Sequence, residues 1–354
     1  MSDDHRRELS LRLRPVAQPH VFDDALSSAQ HASVLDLIRR HGPWDLILKH
    51  HFTSMEEVVA ATTGVRPAAD VSFDHFLSPI FRGFLASDGV CLYEEAERIL
   101  YEPKFLAWAR EYWGAPYVRP MKILFNLSGP MHSADPGHVD SPRFRGMGLY
   151  NTRIWLLSVM FKSGLFERWR IKMCEVITWF YRGGEGGGFT YWPDGPLASP
   201  KRLASPIWNR AIVTENTAMY HRGESCGPRE ERANPPGLTF DSTLAAAPDA
   251  ADRWVIQAGG RAIARYRTDE MRLLVHWDAE AYRDLADLTL HLEHRDDLTP
   301  DRVFEMLIAD LRAKHVAFEV PADPLRDPRF IELLAGTYDV APSRYPPEAP
   351  LYAA

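Results

Sequence analysis

Cysteine is scarce. The chain has three in 354 residues, Cys91, Cys174 and Cys226, far apart and without a Cys-x-x-Cys pair, so neither a disulfide framework nor a cysteine-built zinc site is expected. Long hydrophobic runs are missing as well. The apolar run in mid-chain, Ile154 to Phe161, is too short to span a bilayer, and the amino-terminal stretch MSDDHRRELSLRLRP lacks the apolar segment of a signal peptide. A cytoplasmic protein, neither exported nor membrane-embedded, is the expectation. Positive charge is not in surplus: Lys+Arg total 41 against Asp+Glu 48, a formal charge of -7, which gives no general attraction to nucleic acid or to anionic lipid. The glycine-rich stretch Gly183–Gly188 is followed by no Gly-Lys-Ser/Thr and so is not a phosphate loop.

What is present is an ordinary folded composition, 45% hydrophobic and 25% charged, with 14 histidines, 27 prolines and 22 glycines. The first third reads as helical. Ser33 with Asp36 resembles a capping box before Val34, Leu35, Leu37 and Ile38, a second helix start falls at Thr53–Glu56, and Pro103 opens a helix that runs to Gly114. From about Tyr117 the texture becomes short apolar runs divided by turn residues: Val118–Leu127, Arg153–Phe161, Cys174–Tyr181, Gly188–Trp192 and Ala211–Tyr220, with Trp254–Ile256, Ala262–Tyr266 and Leu273–His276 later. Such a pattern favours an antiparallel sandwich or barrel over a parallel sheet. The tail returns to helix after Thr299-Pro300 and Asp327-Pro328. The expected plan is an α+β chain, one integrated domain, with helical region 1–115, β core 116–276 and helical extension 277–354.

A histidine and a carboxylate two residues apart on a strand point to one side and can reach one metal ion, which a distant histidine then completes. Four His-x-Asp/Glu pairs occur: His138/Asp140, His276/Asp278, His291/Glu293 and His294/Asp296. The last two lie in the charged stretch HLEHRDD and read as a solvated turn, while His276/Asp278 reads as a strand-end histidine partnered by an acid. His138/Asp140 follows the turn sequences Ser128-Gly129-Pro130 and Asp135-Pro136-Gly137. It also has a downstream partner, His221, at the end of the strand-like AIVTENTAMYHRG. Lys122 and Asn126 share one face of the strand Val118–Leu127 and either line a cavity or face water; Tyr191 and Trp192 either border a pocket or pack.

The pieces HVDSP (His138–Pro142), GGGFTYWPDGP (Gly186–Pro196) and YHRG (Tyr220–Gly223) together resemble the iron(II)- and 2-oxoglutarate-dependent dioxygenase superfamily, in particular its phytanoyl-CoA hydroxylase-like branch. The resemblance covers roughly 117–240. It implies a double-stranded β-helix core of jelly-roll or cupin type between helical layers, with His138, Asp140 and His221 as the Fe(II) ligands. It also implies a basic residue beyond the distal histidine that grips the far carboxylate of 2-oxoglutarate; Arg232 has the usual offset and Arg229 is the alternative, although both stand in CGPREERANPP, which also reads as an exposed loop. In that case a later strand supplies the anchor, with Arg253, Arg265 or Arg267 at hand.

On this resemblance the expected activity is O2-dependent oxidation of an unactivated C–H bond of a small molecule, with 2-oxoglutarate leaving as succinate and carbon dioxide. Hydroxylation, desaturation and cyclisation are all open outcomes. Retention of Asp140 disfavours halogenation, in which halide takes the place of that carboxylate. Amino acids and specialised metabolites are the substrate classes the family suggests. Two other readings stay open from sequence: a small-molecule-binding protein on the same barrel, and a barrel metalloenzyme that uses no oxo acid.

Overall fold

The computed structural model describes residues 3–54, 77–133, 135 and 137–339. It combines helices with a large antiparallel sheet, whose described strands are β1 (His20–Asp23), β2 (Trp44–Leu46), β3 (Ile80–Ser87), β4 (Val90–Cys91), β5 (Tyr117–Ser128), β6 (Arg143–Phe144), β7 (Arg170–Tyr181), β10 (Ile207–Thr214), β12 (Thr243–Ala246), β13 (Arg253–Ala258), β14 (Arg261–Arg267) and β15 (Arg272–Tyr282). Their order is β1-β10-β7-β15-β5-β3-β2-β12-β13-β14, with β4 on β3 and β6 on β7. A second sheet of β8 (Phe189–Tyr191), β9 (Lys201–Leu203) and β11 (His221–Gly223) runs in the order β11-β8-β9.

Strand alternation explains why the large sheet carries its core on one side and polar chemistry on the other. On β15, Leu273, Val275, Trp277 and Ala279 face one way and join Ile123, Phe125 and Leu127 of β5 in a cluster with the helices Ser28–His41, Glu97–Leu100 and Pro103–Trp113. Trp277 is fully buried there, and its Nε1 donates to Leu100 O at 2.8 Å. The intervening residues Arg272, Leu274, His276 and Asp278 point to the opposite face. On that face Ile177, Trp179 and Ile212 pack against Phe189 and Tyr191 of the small sheet.

Several local expectations are met and several are not. The helix Pro103–Trp113 starts and stops where proline and glycine signals put it, with Gly114 left-handed at φ 56°. The first long helix begins earlier than Ser33, because the reciprocal capping box is formed by Ser27 and Gln30. The start expected at Thr53–Glu56 reaches residues outside the described ones, as does Pro136 of the Asp135-Pro136-Gly137 turn. The first third is not purely helical, since β1 to β4 all join the sheet, and β15 carries the sheet past residue 276 to Tyr282. Arg153–Phe161, expected among the strands, is the helix Ile154–Ser163. Trp155, Leu156, Leu157, Val159, Met160 and Phe161 are all buried, and an element apolar on every side shows no helical period to read.

The segment leading to His221 is also built differently. Its strand ends at Thr214, and a turn follows in which Ala218 N and Met219 N donate to Glu215 O; His221 then opens β11. Glu215 fixes that turn. Its Oε2 accepts from Val16 N at 2.9 Å, and Arg170 lies 3.2 Å from its Oε1. Burial pushes the carboxyl of Glu215 up to about 7, against the pull of Arg170. A carboxyl whose folded pKa lies above its unfolded 4.5 binds more protons when folded, so its contribution is full below pH 4.5 and is lost as pH rises towards about 7. Glu215→Gln is therefore expected to gain stability relative to the parent chain between these limits and to show a constant difference above them, measured by denaturant unfolding at a series of pH values. A difference independent of pH would contradict the assignment.

Candidate metal centre

The structure brings His138, Asp140 and His221 together, with one ligand atom from each within 4.8 Å of the others. His138 Nε2 lies 3.9 Å and His221 Nε2 3.7 Å from the same carboxylate oxygen, Asp140 Oδ1. Backbone hydrogen bonds enforce the proximity. His138 N donates to His221 O and His221 N to His138 O, each at 2.9 Å, and Asp140 N donates to Asn216 O at 3.0 Å.

Both rings have their Nδ1 side occupied. His221 Nδ1 donates to Met219 O at 2.9 Å, and His138 Nδ1 faces Asp135 Oδ2 at 2.8 Å. This leaves the two Nε2 lone pairs turned towards Asp140, the tautomer a metal ligand needs. Asp135 is itself held by Gly137 N, which donates to its Oδ1 at 2.9 Å. Gly137 has φ 110°, and a Cβ there would lie 2.9 Å from the Tyr220 ring, so both backbone and space require glycine.

Electrostatics distinguishes the three groups. His221 is 4% exposed, and burial lowers its pKa to about 4, so it is neutral at physiological pH. Burial acts downward on His138, but Asp135 and Asp140 together outweigh it and the net shift is upward. Burial opposes ionisation of Asp140, yet His221, His276, His138 and Lys122 around it prevail and hold the carboxyl well below the ordinary range. Its Oδ2 is buried without a hydrogen-bond partner. An ionised carboxylate with an unsatisfied oxygen beside two free imidazole nitrogens is a donor set suited to a divalent cation.

His138 and Asp140 border a cavity of about 360 Å³. Further polar groups reach it from the sheet. His276 Nε2 is 3.9 Å from Asp140 Oδ2 and 2.7 Å from Asp278 Oδ1, although the latter contact is too poorly aligned for a hydrogen bond. Lys122 pairs with Asp278. Glu175 accepts from Asn216 N at 2.8 Å, and burial followed by Asp278 and Asp140 raises its pKa well above the carboxylate range. The apolar wall includes Leu124, Ile154, Trp155 and Val159.

The other residues singled out from sequence fall in different places. Lys122 borders the cavity, whereas Asn126 lies one step deeper and accepts from Arg82, which does border it. Trp192 does not border the cavity, although it is buried in the same apolar cluster as the cavity residues Tyr220, Trp155 and Val159. Arg229 is exposed in a short turn, and Arg232 is buried with its Nε donating to Gly227 O at 2.8 Å; neither lines the cavity. His291 lies 3.8 Å from Glu280, and His294 is 2.8 Å from Asp297, both away from the triad. Sequence reasoning missed Arg82, His51, Glu175 and Arg272. Arg272 opens β15 on its inner face, 8% exposed, with Nε donating to Gly187 O at 2.9 Å and Nη2 buried without a partner.

No family model matches the chain, and no curated protein matches it. Among solved structures it is similar to a 2OG-Fe(II) oxygenase family oxidoreductase from Burkholderia pseudomallei, at 12% identity and TM-score 0.41, over 78% of this chain and 92% of that one. It is also similar to a prolyl hydroxylase in complex with a hypoxia inducible factor peptide fragment from Trichoplax adhaerens, at 9% identity and TM-score 0.35, over 79% and 91%. A viral collagen prolyl hydroxylase from Paramecium Bursaria Chlorella virus-1 follows at 8% identity and TM-score 0.34, over 75% and 97%. These superpositions are loose, and the functional reading rests on the site's own geometry.

Asp135→Asn removes the carboxylate behind His138 while keeping its shape. It is expected to weaken binding of Co(II), followed by the metal's visible absorption, by roughly 10–100-fold. Unchanged affinity would place the metal elsewhere.

Proposed function

We propose that the chain is an Fe(II)- and 2-oxoglutarate-dependent oxygenase acting on a small molecule. The observation that carries this reading is the pair of imidazoles and one carboxylate, with Nε2 atoms free and Asp140 Oδ2 unsatisfied, at the edge of a mostly apolar cavity. Two histidines and one carboxylate leave coordination positions open, which favours an oxygenase over a closed structural site.

The core is read as a double-stranded β-helix. In support, the four strands β5-β15-β7-β10 lie over the small sheet β9-β8-β11, which the His138–His221 bridge extends by one more segment. In this arrangement the strand of the central sheet that follows β11 is β15. Its first residue, Arg272, is inward-facing and has an unpartnered Nη2, so it is the proposed anchor for the far carboxylate of 2-oxoglutarate in place of Arg232.

Bound at His138, Asp140 and His221, iron with 2-oxoglutarate and dioxygen would supply the oxidising equivalent for a C–H bond, the oxo acid leaving as succinate and carbon dioxide. The protein's own part is separate. Met219 O and Asp135 hold the Nδ1 sides of the two rings, so that Nε2 is the nitrogen each presents to a metal, and Leu124, Trp155 and Val159 exclude water from the space in front of them. Asp278, matched by Lys122, and Asp140 both lie on the Nε2 side of His276.

Anaerobic addition of Fe(II) and then 2-oxoglutarate should give a visible charge-transfer band. Iron binding without that band would sink the co-substrate assignment. His138→Ala and His221→Ala are each expected to abolish Fe(II)-dependent succinate formation. Arg272→Ala should raise the apparent requirement for 2-oxoglutarate by more than tenfold (about 1.4 kcal/mol or more), whereas Arg232→Ala should leave it nearly unchanged; the opposite ranking would return the anchor to Arg232.

A further inference from the structure

Among the described residues three lysine or arginine cations border the cavity, and two of them are matched. Lys122 pairs with Asp278, and Lys162 Nζ lies 2.7 Å from Asp339 Oδ1. The third, Arg82 on β3, has no carboxylate within ion-pair distance among the described residues. Its Nε donates to Asn126 Oδ1 at 2.8 Å and its Nη1 to His51 Nε2 at 2.6 Å. A guanidinium carries donors only, so His51 Nε2 is the accepting nitrogen and the ring's proton is on Nδ1. His51 is thus neutral in this contact, and burial, with Arg82 beside it, pushes its pKa well below the usual value. Neither partner of Arg82 balances its charge.

Burial lowers Arg82 to about 10, with Asp140 and Asp278 acting in the other direction across space, so the group stays cationic at neutral pH. Its Nη2 makes no hydrogen bond to any described residue. The neighbouring wall is apolar, formed by Leu48, Phe52, Ile80, Phe84 and Leu124. An enclosed cation in such surroundings is costly when unmatched and binds an anion strongly, and its planar fork fits a carboxylate better than a point charge would.

We propose that Arg82, oriented by Asn126 and His51, binds the carboxylate of the organic substrate, which is a carboxylic acid whose apolar body extends along the cavity towards His138 and Asp140. This rests on reading the cavity as the substrate chamber of the proposed oxygenase, and it adds the substrate class. The same guanidinium could receive a carboxylate of 2-oxoglutarate instead, so the experiment separates the two sources.

Isothermal titration of the full chain with octanoate and with 3-phenylpropionate, each compared with its primary amide, tests the charge requirement without turnover. The acids are expected to bind at least about tenfold more tightly than the amides, the scale of a hydrogen-bonded charge pair. Arg82→Met should reduce acid binding to the amide level, and Arg82→Lys should restore part of it. In the anaerobic Fe(II) titration, the 2-oxoglutarate affinity of Arg82→Met should match that of the parent chain. Equal binding of acid and amide to the parent chain, or no saturable binding of either acid in the low millimolar range, overturns the proposal even if the variants fail to fold. Acid binding that survives Arg82→Met also overturns it, and loss of 2-oxoglutarate affinity alone assigns Arg82 to the co-substrate. A missing charge-transfer band in the parent chain counts against the oxygenase reading and leaves the acid-versus-amide result standing by itself.

Discussion

Two backbone hydrogen bonds, exchanged between His138 and His221, are the constraint on which the site depends. They join segments far apart in sequence and set the two imidazoles side by side, with ring centroids 4.5 Å apart. A main-chain bridge is indifferent to side-chain rotamers, so the two backbone positions are set side by side before either ring takes its orientation. Hydrogen bonds on the Nδ1 side then fix the orientation, and Asp140 is drawn in by Asn216 O. The turn containing Asn216 also offers its N–H to Glu175, so one short loop positions the candidate metal carboxylate and the raised-pKa acid beside it.

The parts legible in sequence were those encoded locally. Proline and glycine signals placed the helix Pro103–Trp113, and alternation placed β5 and β7 to within a few residues. The triad was legible because a His-x-Asp pair among turn residues and a histidine before Arg222-Gly223 are short-range patterns. What sequence could not supply was pairing. Arg82 stands on a strand of the first third, and nothing around it signals that β3 will lie against β5 and bring it to Asn126. Arg272 is likewise an unremarkable arginine until β15 is inserted between β5 and β7. Arg232 and Arg272 each commit Nε to a glycine carbonyl, of Gly227 and Gly187, and what separates them is that Arg272 stands on a strand of the large sheet whereas Arg232 follows a short turn.

Charge is distributed unevenly around the cavity. Asp140, Asp278 and Glu175 border it with His276 and Lys122, and Arg82 borders it next to apolar residues, with Asp140 and Asp278 acting on it across space. Lys122 already matches Asp278, whereas no described carboxylate lies within ion-pair distance of Arg82. A molecule with one anionic end and an apolar remainder therefore has a single favoured direction of entry, with its uncharged portion at the imidazoles.

The cavity wall is assembled from parts that are distant in the order of synthesis. Ala335 borders it from the last described helix, Pro328–Thr337, and Asp339 from two residues beyond, and this helix packs with Ile154–Ser163, which supplies Trp155 and Val159. The three metal-type ligands have all been made once His221 leaves the ribosome, yet the central strand β15 and this last wall come much later. The enclosure of the candidate ligands is therefore completed by residues later in the chain than the ligands themselves.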